Sequence, residues 1–537
     1  MKKAKKITTV TEPGISYRQK IALVSTSVIL LSAGWWNLPA VFCCAGLVPL
    51  IYLSHRYSAS KKDFMGMLGW AALTFILWNC VTIWWIWYAS PIGPIAATFF
   101  TVWWDLIAFM CFHVVSKKGH KLLSYILLVT GWTAVEFIYS EAKALSFPWL
   151  NLGNAFARNV WAVQWYEYTG IFGGTFWVVL VNILLFEAII SKRKKSYILF
   201  GATFILPLVL SIVIYLRNAP TNTTPKDSMN ITVCQPNIDC YLKFNSSANS
   251  QHNILKKLLR AAPAETNLVL FPETALKEYL FEKRLEESTV LSEFKNILLS
   301  ERPDMSIITG CESIAQYTTS NKSETSRKIA DDSYIDYYNS SLLIQNGSPY
   351  RIHHKQRLVV GVETLPKWLR HIRFGEVDLG GTFGQLGLDS RSDLFECHGV
   401  KVSPAICYEA LYGNTMAEFT KNGAGILCVI SNDGWWGDTP GYKRLFDLCR
   451  LRAIENRRWI ARSANTGISG FLNSRGDIEK KLEWDRQGEL SMQVPSYDKI
   501  TFYTKYGDIV GRISMYTAFL CLLYFVAYTY KRKFYLD

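Results

Sequence analysis

The sequence predicts a polytopic α-helical membrane protein that carries one extracytoplasmic α/β domain, and three observations lead there. Half of the 537 residues are hydrophobic and only 19% are charged, too apolar for a typical soluble chain of this length. Apolar runs of membrane-spanning length fill the first 216 residues and recur near the end. Between them, from Met229 onward, β-branched runs of strand length alternate with amphipathic helical stretches.

A hydrocarbon core of about 30 Å takes roughly 20 apolar residues per helix. The early region divides into about seven such segments, at 20–37, 39–54, 65–88, 92–115, 121–140, 168–190 and 196–216, and an eighth at 511–530 closes the chain. Basic clusters at 2–6, 56–62, 117–121, 192–195 and 531–533 punctuate these runs. With the N-terminus in the cytoplasm all of them fall on the cytoplasmic side, whereas the connections at 36–40 and 89–94 carry no Lys or Arg. One span more or fewer breaks that pattern. An odd number of early helices places 217–508 outside and both termini inside. The basic start and the apolar run at 21–36 imitate a signal peptide, but no A-x-A-like site follows, so the run reads as a retained helix. The segment 139–170 is long and aromatic with a Pro, and reads equally as re-entrant structure or as a plain loop.

The formal net charge of +15 raises the question of nucleic acid, yet its clusters sit beside apolar runs, where they set topology and attract anionic lipid. No nucleic-acid partner is expected. Twelve cysteines without CxxC pairs or Cys/His spacing suggest no metal site, and nothing calls for a cofactor.

After the polar linker 217–228, strand-like runs recur at 231–234, 267–271, 305–309, 341–344, 400–406, 425–430 and 459–463, with helical stretches at 250–261 and 442–456. The Ser/Thr-rich segment 318–332 reads as a solvated insertion. Catalytic groups in α/β proteins sit just past buried strands, and three junctions qualify. NLVLFPETAL leaves Glu273 beyond a strand, HHKQRLVVGVETLP supplies Lys355 and Glu363, and VSPAICYEALYG places Cys407 before Tyr408 and Glu409. Singly, these read as a loop carboxylate, a surface ammonium and a core thiol. Together they make a recipe: a thiol near its ordinary pKa of about 8.5 needs a base and a cation to act at neutral pH. Glu273 can take the proton, and Lys355 can stabilise the thiolate and then an oxyanion. There is no G-x-S-x-G elbow for a serine route.

This constellation resembles the Glu, Lys, Cys triad of the nitrilase superfamily, and the whole chain is similar to the apolipoprotein N-acyltransferases. The resemblance also rests on QPNI at 235–238, YNSSL at 338–342, SNDGWWGDTPG from Ser431, LRAIENRRWIARSANTGISG from Leu451 and FYTKYGDIVGR from Phe502. It implies an αββα sandwich at 229–498, between a membrane domain at 1–217 and a closing helix at 509–531. It implies Glu273 as general base, Lys355 as oxyanion stabiliser and Cys407 as acylated nucleophile. Glu363 matches an additional essential carboxylate, and Tyr408 and Glu409 match the pair that shapes the site. Phe244 stands where the family often has a functional Trp. The loop after the lysine, commonly L-V-P-F-G-E, here runs Leu358, Val359, Val360, Gly361, Val362 before Glu363, so a Pro is lost and the Gly has moved. Asp433 with Trp435 and Trp436 resembles a mobile lipid-facing loop. The implied reaction moves an acyl chain from a phospholipid, phosphatidylethanolamine first among donors, to the amine of diacylated apolipoproteins at a bacterial inner membrane, with the catalytic domain in the periplasm. The rivals are a membrane-tethered amidase and a non-catalytic lipid-binding protein.

Overall fold

The computed structural model describes residues 15–142, 145–219, 225–243, 247–365 and 385–535. The membrane half contributes α1 (Tyr17–Ser32), α2 (Val48–Arg56), α3 (Lys61–Ile83), α4 (Gly93–Lys117), α5 (Lys121–Glu141), α6 (Tyr166–Ser191) and α7 (Lys194–Arg217). Then come α8 (Ala248–Ala261), α9 (Thr289–Glu301), α10 (Gly413–Lys421), α11 (Pro440–Asn456) and α12 (Phe502–Tyr506), before α13 (Ile509–Tyr535) ends the described chain. Among the described residues, six helical segments are long and apolar enough to cross a bilayer: Lys61–Tyr88, α4, α5, α6, α7 and Ile509–Lys531. The protein is a multi-pass membrane protein with an α/β domain between its apolar helices. On α7 the side chains of Leu206, Val213 and Leu216 are more than half exposed, as lipid-facing residues are.

The first two expected spans are helical but irregular. Helix α1 has 16 residues and tightens into a 3-10 turn at Ala33–Trp35. The second begins as a 3-10 turn at Ala40–Ala45 before α2 adds 9 residues. Pro39 and Pro49 interrupt the ladder, and at the break the Leu47 N–H donates instead to Asn182 Oδ1 at 2.7 Å. The segment 139–170 is neither exposed nor shapeless. It forms 3-10 turns at Pro148–Leu150, Leu152–Arg158 and Val160–Ala162, most of whose side chains are buried. Glu136 on α5 anchors it by accepting from the Leu152 N–H at 2.9 Å, and a Cβ on Gly153 would lie 2.0 Å from the Ile171 carbonyl oxygen.

The α/β domain holds β1 (Asp227–Gln235), β2 (Leu268–Leu270), β3 (Tyr279–Phe281), β4 (Ser306–Tyr317), β5 (Arg327–Ala330), β6 (Ser333–Ile344) and β7 (Arg351–His354). These are followed by β8 (Phe395–Cys397), β9 (Val400–Ile406), β10 (Ile426–Ser431), β11 (Ile460–Ala464), β12 (Ser469–Leu472), β13 (Ile478–Leu482) and β14 (Gly488–Ser496). One sheet runs β14-β1-β2-β4-β6-β5, with β3 beside β4 and β7 beside β6, and the other runs β13-β12-β11-β10-β9-β8. In each, three consecutive strands are parallel: β1, β2, β4 and β9, β10, β11.

Strand alternation sorts the core into layers. Leu268 and Leu270 join Ile231, Val402, Ile426 and Ile430 between the sheets. Val269 points the other way, to Leu255 of α8 and Phe294 of α9. Leu427 and Val429 face Phe419 of α10 and Phe446 of α11. This is the αββα sandwich. All seven expected strand runs are strands, while β3, β5, β7, β8, β12, β13 and β14 were not expected; most of these are short, and β5 and β13 are exposed and charged. The insertion at 318–332 is largely exposed and includes β5, paired to β6. Cys234, Cys240, Cys311 and Cys397 are free thiols.

Candidate active site

The carboxyl ends of the inner strands converge on one pocket wall. Glu273 follows β2 after a Phe-Pro step, Lys355 follows β7, and Cys407 follows β9 as the first residue of a 3-10 turn. Two backbones are held in the left-handed region there, Thr274 at φ 48° and Cys407 at φ 47°. A side chain forced into that region costs roughly 1–3 kcal/mol, and such cost is tolerated where geometry matters. Gly310 on β4 makes room for the first turn, since a Cβ there would lie 2.6 Å from the Glu273 Cα.

Lys355 is almost wholly buried and donates from Nζ to Glu273 Oε1 at 2.7 Å and to Glu363 Oε1 at 2.9 Å. Asn339 Nδ2 donates to the same two oxygens, at 2.8 Å each. The other Glu273 oxygen accepts from the Asn432 N–H at 3.0 Å, and the other Glu363 oxygen from the Val359 N–H at 2.7 Å. The altered loop therefore still delivers Glu363. Gly361 at φ 86° closes a turn in which the Val359 carbonyl accepts from Glu363 and Thr364, and Glu363 staples the turn with its own side chain.

The charges follow from this geometry. Burial opposes the Lys355 charge, but the carboxylates of Glu273 and Glu363 overcome it and hold the ammonium above the ordinary lysine range. Burial also opposes the Glu273 charge, yet Lys355, Asn339 and a hydrogen bond from Cys407 bring its carboxyl below the usual range. Burial and the Glu273 charge push the Cys407 thiol well up, with Lys355 working the other way. At rest the site therefore holds an ion pair beside a neutral thiol.

Glu409 is fully buried and accepts from the N–H of Gln356 and of Ile406, both at 2.6 Å, so one carboxylate fixes the residues adjoining Lys355 and Cys407. Tyr408 turns toward the membrane half. Its hydroxyl donates to the Ser146 carbonyl at 3.2 Å, and its ring centroid lies 6.4 Å from that of Trp149. Trp149 in turn meets Trp85 at 5.0 Å and Trp436 at 5.7 Å. The turn at 433–436 is accordingly anchored and does not face lipid freely. Asp433 is fully buried in a two-pronged ion pair with Arg462, at 2.7 and 3.0 Å, and Trp436 is wedged between Trp85 and Trp149. Phe244 lies outside the described residues.

Sequence reasoning missed several members of this shell. Asn339 sat in the YNSSL segment without a role, although an Asn at the middle of a buried strand was signal enough to ask what it binds. Lys243 is buried against the Glu273 turn, its Nζ 2.8 Å from Thr274 Oγ1 and 3.4 Å from the Glu273 carbonyl, and burial pulls its ammonium down to about 8. Trp85 and Trp149 come from segments far away in the chain. Trp85 belongs to the 3-10 turn Trp84–Tyr88, whose outer side borders an apolar groove of about 830 Å³ between α3 and α4, lined by Ile76, Trp84, Trp87, Phe99, Trp103 and Leu106 among others.

A sandwich with an acid, an ammonium and a thiol at its strand ends defines a carbon-nitrogen hydrolase type of domain, and the family model described as "Carbon-nitrogen hydrolase" matches residues 230–497. A second, "Apolipoprotein N-acyltransferase N-terminal domain", matches residues 27–184. The chain is similar to "Apolipoprotein N-acyltransferase" of Chlorobaculum tepidum, 27% identical over 91% of this chain and 93% of that one. It is also similar to the proteins of that name from Thermotoga maritima, at 22% over 86% and 85%, and Rickettsia typhi, at 24% over 95% and 98%. The chain belongs to the apolipoprotein N-acyltransferase family, within the nitrilase superfamily, and is an acyltransferase.

Proposed function

We propose that this acyltransferase carries an acyl chain from a phospholipid to the α-amine of a diacylated apolipoprotein by way of a Cys407 thioester. The convergence of Cys407, Glu273 and Lys355 beside an aromatic wall drawn from both halves of the chain is the observation that carries the reading. In the first half-reaction Glu273 takes the thiol proton as Cys407 attacks the sn-1 ester carbonyl. Lys355 stabilises the oxyanion, Glu273 returns the proton to the departing glycerol oxygen, and a lysophospholipid leaves. In the second, the acceptor amine attacks the thioester, Glu273 accepts its proton and passes it to the Cys407 sulfur, and the amide departs. Phosphatidylethanolamine is the donor of first choice. Glu363 keeps Lys355 charged, while Tyr408 and Glu409 set the geometry around the nucleophile.

The topology that serves this chemistry has about eight spans, with 1–217 as membrane domain, 229–498 as periplasmic catalytic domain and 509–531 as closing helix. Both termini lie in the cytoplasm of a bacterial inner membrane. Both substrates keep their long chains in the bilayer, so the donor's acyl chain reaches the site from the side, and the groove between α3 and α4 has the volume of a ligand pocket.

The test uses full-length protein in nanodiscs with phosphatidylethanolamine labelled in its sn-1 chain. Wild type forms a hydroxylamine-sensitive adduct and releases lysolipid in equal amount, and Cys407→Ala forms neither. Hydrolysis of a small amide without any adduct from lipid would instead favour an amidase and sink this reading.

A further inference from the structure

Outside the triad, Arg444 is a buried cation without an ion-pair partner among the described residues. Arg444 on α11 is 5% exposed, yet among the described residues no carboxylate lies within 4 Å of its guanidinium, and its Nε has no hydrogen-bond partner. A guanidinium does not escape by deprotonating, and a buried unpaired charge costs several kcal/mol. The neighbourhood deepens the puzzle. Asp447, one turn along α11, is taken by Arg158, whose Nε lies 2.6 Å from it, with Arg450 Nη1 at 3.9 Å. Arg158 also donates to Asn37. Asp447 is thus already engaged by Arg158 and Arg450, and Arg444 is left without an ion pair of its own. Burial, with the nearby charge of Arg158, pulls even Arg444 down to about 10.

Its place in the fold says what kind of anion belongs there. Arg444 lies one turn beyond Gly441, where a Cβ would meet the Trp85 ring at 2.5 Å, so it stands beside the aromatic wall that ends on Tyr408. The 3-10 turn that carries Trp85 also borders the apolar groove between α3 and α4. In the segments that carry Asn37 and Arg158, which are hydrogen-bonded to each other, Trp36, Leu38 and Trp161 are 37–45% exposed, the aromatic and apolar fringe typical of the headgroup level of a bilayer.

We propose that Arg444, with Arg158 beside it, binds the phosphodiester of the glycerophospholipid donor, setting the headgroup at the interface while the acyl chains enter the groove. This rests on the phospholipid-dependent reading above. Guanidinium groups match phosphate oxygens in geometry and charge, and one such charged hydrogen bond is worth about tenfold in affinity.

The test compares phosphatidylethanolamine with diacylglycerol, which keeps the ester and lacks the phosphate. In wild type, thioester formation from phosphatidylethanolamine has the lower KM. In Arg444→Gln the KM for phosphatidylethanolamine rises about tenfold and that for diacylglycerol does not move, while Arg444→Lys, which keeps the charge, falls between. Equal changes for both lipids, or none, overturn the proposal. A thermal-shift series on Cys407→Ala protein reads binding without turnover, so it stands even where acyl transfer fails. Phosphatidylethanolamine raises its Tm more than diacylglycerol does, and adding Arg444→Gln removes the difference. Equal shifts by the two lipids before that substitution overturn the proposal without relying on the variant to fold. A shift with inorganic phosphate alone, and none with the lipid, assigns the site to a free anion and overturns the lipid assignment.

Discussion

Two walls of the site are built by opposite means. The inner wall, Glu273, Lys355, Glu363 and Asn339, is a closed set of charge-assisted hydrogen bonds of 2.7–2.9 Å among strand ends. The outer wall, Trp85, Trp149, Trp436 and Tyr408, is a stack of rings 5.0–6.4 Å apart, drawn from both halves of the chain. Directional bonds fix protons and charges to within tenths of an ångström, whereas rings supply area and exclude water with looser geometry. The difference predicts that damage to the inner wall appears in kcat and damage to the outer wall in KM for lipid.

The largest expected effect is at Lys355. Lys355→Met removes the proposed oxyanion partner, a loss of about 10²–10³ in rate, and leaves two carboxylates without their cation, at about 3–5 kcal/mol of stability. Single-turnover thioester formation should be at least a hundredfold slower, with Tm falling in parallel. Glu363→Gln keeps the shape and one acceptor, so it should cost less than Lys355→Met on both measures. Equal losses would mean that Glu363 does more than hold the ammonium.

Glu409 comes next. Its carboxylate pins Gln356 and Ile406, so Glu409→Gln swaps one acceptor oxygen for a donor facing an N–H. Thioester formation should slow by about tenfold to a hundredfold, with KM for the lipid hardly changed. A change confined to KM would move Glu409 from the inner wall to the outer one.

The inner wall was largely legible in sequence for a physical reason. Charged residues at apolar-to-polar junctions are costly unless used, so Glu273, Lys355 and Cys407 stood out by type and place. Glu363 survived the altered loop because its own side chain caps the turn, which no residue pattern reveals in advance. The outer wall was legible only in part, since Tyr408 and Trp436 stood in recognisable motifs while the assembly of the wall did not show. An aromatic in an apolar sequence is ordinary, and nothing in the residues around Trp149 says that its neighbours are Trp85 and Trp436. The same held for Arg444, whose peculiarity is that no carboxylate among the described residues lies within 4 Å of it. The helix spans were read from apolar length, which does not register the 3-10 turns that close the first span at Ala33–Trp35 and open the second at Ala40–Ala45.

The outer wall breaks at Trp149. Its ring touches Tyr408, Trp85 and Trp436, and it is 4% exposed, so Trp149→Ala removes a buried indole, at about 3–5 kcal/mol. If the comparison holds, KM for phosphatidylethanolamine rises several-fold while a water-soluble short-chain ester acylates Cys407 at an unchanged rate. A similar loss for both substrates would show that the rings also hold the nucleophile in place.

The smallest effect separates stability from chemistry at the edge of the inner wall. His354, next to Lys355, is stacked on Tyr338 at 3.9 Å, with Nε2 2.7 Å from Glu282 and Nδ1 3.3 Å from Asp389. Burial opposes its charge, but those two carboxylates prevail and raise it from 6.5 to about 9. Ser313 and Arg391 occupy the remaining sides of the carboxylates, so no second cation replaces the imidazolium between them. Because the folded value lies above the unfolded one, its contribution is full below about pH 6.5 and is lost as pH rises through 9. His354→Gln should therefore lower the unfolding free energy by about 2–3 kcal/mol at pH 6 and by little at pH 10, as denaturant titrations at the two values would show. A loss of the same size at both pH values would mean that the ring's packing on Tyr338, and not its charge, holds the start of the Lys355 loop.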